Sequence, residues 1–286
     1  MRHALVTGAA SGIGLALTRR LLLDGGEVAA VVRADMPRAP ELDRAIAERK
    51  LRIYRGNLAD AGSRRALVDA IAAGEPRIDA LFNNAGVSTG SLQFSPQGRE
   101  LHYEVNTIAP YVLVEGLRAR LASAGGRVVN TVSDALFFDK RYDPDALAAP
   151  SRFRTITGPY ASSKLALALW STALAPELAA EGITIISVAP GAVNTPLIRG
   201  SGMPTLMKPL AWLVSKPPSH GADLLLDGAT SDHSNGSLVM KRVERPLPFL
   251  EEAQRTLEIV AAAARGEVGQ AARPIVAQTR SRLPPP

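Results

Sequence analysis

The stretch that most constrains this chain is Thr7-Gly8-Ala9-Ala10-Ser11-Gly12-Ile13-Gly14, set between an apolar segment at residues 3–7 and a helical pattern that begins at Leu15. A strand, a glycine-rich turn and a helix in that order form a unit whose turn can face a phosphate-bearing ligand. Gly8 permits a tight turn, Gly12 lets backbone approach a pyrophosphate, and Gly14 lets the helix pack closely on the strand. The helix start, at Ser11 and Ile13, offers free N–H groups and a partial positive charge to an anion. Three glycines can also serve turn geometry alone, so their weight comes from the context that follows.

That context is alternation. Strands are expected at residues 27–32, 51–54, 78–82, 126–132, 183–189 and 237–240, with helices near 41–49, 62–73, 97–121, 160 onward and 220–230. Alternating strands and helices imply an α/β fold, a doubly wound parallel sheet of Rossmann type with helices on both faces. We expect one such domain over residues 1–245, with an irregular lid at about 192–220 rich in Met, Leu, Trp and Pro. A buried flank or a dimer contact explains the same residues. Residues 246–286 are expected to add a C-terminal helix and a loosely attached tail.

Ligands in such sheets bind at the carboxyl ends of the strands, which directs attention to the residues there. The second strand ends at Val32 and is followed by Arg33, which suits a ribose 2′-phosphate and favours NADP(H) over NAD(H); Asp35, two residues on, keeps NAD(H) open. The fourth ends in Asn83-Asn84-Ala85-Gly86, the fifth delivers Ser133, and the sixth ends in Pro190-Gly191-Ala192-Val193-Asn194-Thr195. Asn106 lies inside an expected helix, where asparagine is locally unfavourable, so it is a surface accident or a polar device. Ser133 and Tyr160 are 27 residues apart across an irregular, proline-containing excursion.

Tyr160 opens a helix and Lys164 lies four residues on, so both occupy one face of it. A phenol near pKa 10 carries protons poorly at neutral pH, and lowering that value by about three units takes roughly 4 kcal/mol. The Lys164 ammonium in a partly desolvated pocket is the expected source. Taken alone, Tyr-x-x-x-Lys is an ordinary amphipathic pair.

Composition removes other classes. With 286 residues and 46% hydrophobic content the chain can bury a large core, and without cysteine it has neither disulfides nor thiolate chemistry. A metal site is not expected. The N-terminus enters a strand directly, and no window offers the roughly 18 apolar residues of a membrane span, so a cytoplasmic protein is expected. The net charge is +6 with a pI near 9.9, yet the arginines are scattered and aromatics are only 5%, so nucleic acid is not an expected partner.

Together, Thr7-Gly8-x-x-x-Gly12-x-Gly14, Asn83-Asn84-Ala85-Gly86, Asn106, Ser133, Tyr160-x-x-x-Lys164 and Pro190-Gly191-x-Val193-x-Thr195 resemble the short-chain dehydrogenase/reductase family over about residues 1–245. Residues 95–106, Arg33 and the excursion before Tyr160 are similar to its retinol-dehydrogenase-like branch. The resemblance implies a nicotinamide cofactor, an alcohol or carbonyl substrate and a catalytic tetrad at Asn106, Ser133, Tyr160 and Lys164. It also places cofactor contacts at Gly8, Ser11, Gly12, Ile13, Gly14, Arg33, Asn57, Leu58, Asn84, Ala85, Gly86, Tyr160, Lys164, Pro190, Gly191, Val193 and Thr195. In it Ser133 stabilises the substrate oxygen, Tyr160 exchanges the proton, Lys164 holds the nicotinamide ribose, and Asn106 supports a proton relay. A homodimer or homotetramer is the assembly left open. A non-catalytic NADPH-sensing regulator is the alternative; loss of a tetrad residue would have been its mark.

Overall fold

The computed structural model describes residues 1–194 and 215–268, and all that follows concerns those residues. The strands β1 (His3–Thr7), β2 (Glu27–Val32), β3 (Leu51–Arg55), β4 (Ala80–Asn83), β5 (Arg127–Thr131), β6 (Thr184–Ala189) and β7 (Leu238–Met240) pair in parallel in the order β3-β2-β1-β4-β5-β6-β7. This is the doubly wound sheet that the alternation predicts. The winding reverses between β1 and β4, and a crevice opens at the strand ends there.

Strand residues point alternately to two cores, one on each face. Leu5, Ala29, Val31, Leu81 and Val128 face one. Val6, Val28, Ala30, Phe82 and Val129 face the other. Strands buried on both faces read as the near-continuous apolar runs seen in the sequence. Helices α1 (Gly12–Leu23) and α2 (Pro40–Ala47) cover one face, and α3 (Ala61–Gly74) and α7 (Pro159–Ala179) the other. Trp170 of α7 is fully buried, its ring edge-on to Tyr111 at 5.5 Å. Helix α8 (Pro218–Thr230) joins the first face. Helix α9 (Ala253–Ala264) packs on α7 through Ala253, Leu257, Val260 and Ala264, so it is part of the second core.

Three expectations are corrected. The helix expected over 97–121 starts only at Leu101 and is broken into α4 (Leu101–Tyr103), a π-helical turn (Glu104–Ile108), α5 (Ala109–Gly116) and α6 (Arg118–Ala122). Pro110 has no N–H to give the carbonyl of Asn106, so the regular ladder cannot run through this segment. The strand at 238–240 is not the last, because β8 (Val243–Arg245) pairs antiparallel with it. The two-residue turn between them, Lys241-Arg242, has both residues at positive φ (50° and 65°) without the Asn-Gly signature that would have announced a hairpin. The α9 region, placed outside the first domain by the sequence, shares its core. Most of the expected lid and the tail beyond residue 268 lie outside the described residues.

The π-turn is anchored by a buried ionic network. The Arg64 guanidinium, fully buried, donates to Glu104 of the π-turn and, at 2.7 Å, to Glu267 beyond α9. Arg99 donates to the other side of Glu104 at 2.6 Å, and Ser95 adds a hydroxyl at 3.0 Å. These charges hold the Glu104 carboxyl below its ordinary range against the opposing effect of burial. Removing one partner of a buried pair leaves the other uncompensated, at a cost of about 3–5 kcal/mol. Arg64→Met should therefore lose about 3 kcal/mol or more in urea-denaturation stability, and Arg64→Met with Glu104→Gln should recover part of it; a loss below about 1 kcal/mol in the single variant would show the network to be energetically idle.

Candidate active site

The end of β1 and the loop after β4 are laced together. Thr7 Oγ1 accepts from the Asn84 and Ala85 N–H groups at 3.0 and 2.9 Å, and Asn84 Nδ2 donates to the Thr7 carbonyl at 2.9 Å. Gly8 stands at φ +68°, and a Cβ on Gly14 would lie 2.3 Å from the Gly8 carbonyl oxygen, so neither position accepts a side chain. Ser11 caps α1 in extended conformation, yet its side chain makes no capping bond. The first-turn N–H groups are left for an anion.

These groups form one wall of a cleft of about 560 Å³. Of the expected site residues, Gly8, Ser11, Gly12, Ile13, Arg33, Asn84, Ala85, Gly86, Ser133, Tyr160, Lys164, Pro190, Gly191 and Val193 all line it. The structure thus brings together the glycine turn, three of the four expected catalytic side chains and the end of β6. Gly14 stands one layer behind, against Gly8. Thr195 lies outside the described residues. Asn57 and Leu58 are not in the lining: Asn57 turns its side chain back to accept from the Ala59 N–H at 3.1 Å, and Leu58 packs against the core under α3.

Asn106, fully buried in the π-turn, is the tetrad member behind the wall. Its Oδ1 accepts from the Val87 N–H at 2.8 Å, while Nδ2 donates to the Val87 carbonyl and to Ser163 Oγ, both at 3.1 Å. Neighbouring Thr107 donates to the Ser163 carbonyl at 2.8 Å. A Cβ on Gly86 would stand 3.1 Å from Asn106 Oδ1 and 3.4 Å from Lys164 Nζ, so these two polar atoms meet beneath a bare glycine.

Lys164 is 4% exposed, and its Nζ donates to the Thr131 carbonyl at 2.7 Å. Burial lowers its pKa to about 8. Tyr160 is half-buried, and its phenol is pushed above its ordinary value by burial, against which the Ser133 hydroxyl works; the Asp134 charge adds to the rise. The expectation that Lys164 acidifies Tyr160 is therefore not met in the protein alone. The ammonium is directed at the end of β5 rather than at the phenol, and desolvation governs both groups.

Arg33 is exposed at the cleft mouth and, among the described residues, makes no ion pair. Asp35 is paired with Arg55. Several groups here were missed by the sequence reading. Asp134, Phe138 and Ile156 line the cleft from the excursion. Ile156 does so at φ +65°, a strained conformation for a β-branched residue. His102 is buried behind Tyr160, edge-on at 5.9 Å. It accepts from the Thr89 N–H at 3.0 Å and meets Glu100 at 2.6 Å on its other nitrogen, which fixes its tautomer. Its only signal was proximity to Asn106 in sequence. Among the described residues no group of three or more His, Cys, Asp or Glu is placed to hold a metal.

The geometry can be set beside known proteins. The family model described as short chain dehydrogenase matches residues 2–141 and 150–202. Dehydrogenase/reductase SDR family member 13 of Bos taurus is 34% identical over 229 residues, 77% of this chain and 60% of that protein, so the chain spans less than two thirds of that relative's length. Retinol dehydrogenase 11 of Homo sapiens is 30% identical over 236 residues, 80% of this chain and 72% of the relative. Among solved structures, the 3-alpha-hydroxysteroid dehydrogenase from Pseudomonas sp. B-0831 complexed with NADH aligns with a TM-score of 0.66 at 22% identity, over 84% of this chain and 94% of that one. The NADPH-bound carbonyl reductase from chicken fatty liver gives 0.62 at 21%, over 84% and 96%. The laced glycine turn, the parallel sheet and the sequence matches agree: this chain belongs to the short-chain dehydrogenase/reductase family of oxidoreductases, in its retinol-dehydrogenase-like branch.

Proposed function

We propose that the protein transfers hydride between NADP(H) and an alcohol or carbonyl compound with an apolar body, using Tyr160 as general acid and base. The observation that carries this is the convergence of Ser133, Tyr160 and Lys164 in one cleft with the glycine turn, with Asn106 buttressing the helix that bears two of them. The uncapped start of α1 and the side-chain-free Gly8 and Gly86 fit a dinucleotide. Arg33 fits a 2′-phosphate, and the engagement of Asp35 by Arg55 takes away the carboxylate that would favour NAD(H). The relatives named for retinol, an apolar alcohol, and the apolar side chains of Phe138, Ile156 and Val193 support an apolar substrate.

When bound, the nicotinamide supplies or accepts the hydride. The chain's own residues do the rest. Ser133 donates to the substrate oxygen as charge develops there. Tyr160, held protonated at neutral pH by burial, gives its proton to that oxygen during reduction. Lys164 would hold the nicotinamide ribose and pass the replacement proton inward, with Asn106 supporting the relay rather than carrying the proton.

Tyr160→Phe should lower kcat by about 10² to 10⁴ with NADPH binding retained, as read by nicotinamide absorbance and by fluorescence titration; a variant near wild-type rate would remove Tyr160 from the chemistry. Arg33→Ala should weaken NADPH by about 10- to 100-fold, from the loss of a charge-assisted contact of about 1.5–3 kcal/mol, and leave NADH nearly unchanged. An equal loss for both cofactors would contradict the 2′-phosphate assignment. Because the Lys164 pKa is lowered to about 8, its ammonium is lost as pH rises through that value, while the phenol stays protonated. The kcat/KM for reduction should thus be level below pH 8 and fall above it; a fall only near the ordinary lysine value of about 10.4 would contradict the burial argument.

A further inference from the structure

Four aspartates lie on the excursion between Ser133 and Tyr160, and three of them are already engaged: Asp145 accepts from the Arg255 guanidinium at 2.7 Å. Asp139 accepts from Ser162 Oγ at 2.6 Å and from the Arg141 N–H at 3.1 Å. Asp143 caps a short 3-10 turn by accepting from the Asp145 N–H at 3.0 Å. Asp134 is different. It follows Ser133 directly, lines the cleft with Ser133 and Tyr160, and keeps Oδ1 buried with no hydrogen-bond donor reaching it among the described residues. Among the described residues no cation stands within ion-pair distance of its carboxyl. Burial pushes its pKa up, opposed by the more distant Lys241 ammonium. The same cleft is lined by the apolar side chains of Ala135, Phe138 and Ile156.

Asp134 thus brings to the cleft, directly after Ser133, a partly exposed carboxyl whose Oδ1 is closed off, so that Oδ2 is the oxygen left to meet a ligand. We propose that Asp134 selects the substrate: its carboxyl accepts a hydrogen bond from a hydroxyl on the substrate, so the compounds reduced best are apolar carbonyl compounds that carry a hydroxyl, and those rejected carry a carboxylate. This rests on the reductase reading above and names the substrate class of that site. The apolar wall takes the hydrocarbon body, Ser133 and Tyr160 take the carbonyl, and Asp134 takes the second polar group. A site built to pair a substrate hydroxyl rejects an analogue without it far more strongly than shape alone does. A carboxylate placed there meets like charge, or must be protonated with the aspartate.

The test is a panel of aryl ketones that differ by one group: acetophenone, its 2-, 3′- and 4′-hydroxy derivatives, and 4-acetylbenzoate, each with NADPH and read as kcat/KM. For the wild type, at least one hydroxy derivative should exceed acetophenone by about tenfold or more, and 4-acetylbenzoate should be the poorest. In Asp134→Leu the ratio of that hydroxy derivative to acetophenone should collapse toward one. In Asp134→Asn, which removes the charge with little change of shape, 4-acetylbenzoate should gain relative to acetophenone; this decides the matter if the leucine variant does not fold. Wild-type turnover with equal kcat/KM across the hydroxy series, or ratios unmoved by both substitutions, overturns the role of Asp134 alone. No turnover of any member by the wild type overturns the reductase reading and this role with it.

Discussion

The site depends on the docking of the π-turn onto α7 at Ser163. Asn106 and Thr107, adjacent in the turn, grip the hydroxyl and the carbonyl of that serine, and the Ser163 hydroxyl in turn donates to the Tyr160 carbonyl at 2.8 Å. A residue one turn after Tyr160 and one before Lys164 is thereby fixed from outside its own helix. The same Asn106 amide also holds Val87 through both its backbone groups, so the loop that carries Gly86 and the helix that carries the tyrosine share one anchor. An unbroken helix would not present two consecutive residues to the same partner in this way. The π-turn, forced where Pro110 cannot donate, supplies that geometry.

Burial then sets the protonation of the two groups that face the cleft. Lys164 gives its proton up more readily than an ordinary lysine, and Tyr160 holds its own more firmly than an ordinary tyrosine. Both shifts have one cause, removal from water, which penalises whichever form is charged. A phenol that stays protonated suits the direction in which it gives a proton away. In the proposed mechanism, oxidation of an alcohol would ask for the Tyr160 phenolate, so in that direction the same burial would oppose the chemistry until the site gains positive charge or pH rises.

Much of this was legible in the residues. The sheet order follows from alternating strand and helix patterns, and Gly8, Gly12, Gly14, Asn84, Ser133 and Lys164 stand at strand ends or helix starts where the sheet delivers them to one edge. What stayed hidden is physical in kind. The break at Glu104–Ile108 depends on one missing N–H at Pro110 inside an otherwise helical pattern. The β7–β8 hairpin turns on two cationic residues at positive φ that propensity would not choose. The direction of the Tyr160 shift depends on how deeply the phenol is buried and where the lysine points, and neither is written in a four-residue spacing. Asp134 was passed over because four aspartates on one excursion look alike until their partners are counted.

The most direct measurement follows the hydride itself. NADPH deuterated at C4, in each of its two configurations, is incubated with the enzyme and a ketone that it turns over, and the alcohol is analysed by mass spectrometry and NMR. One deuterium at the carbinol carbon, from one configuration and not the other, is expected of a cleft that holds cofactor and carbonyl in fixed register. Alcohol without the label, or label delivered equally from both faces, would contradict a site ordered by the Asn106 anchor.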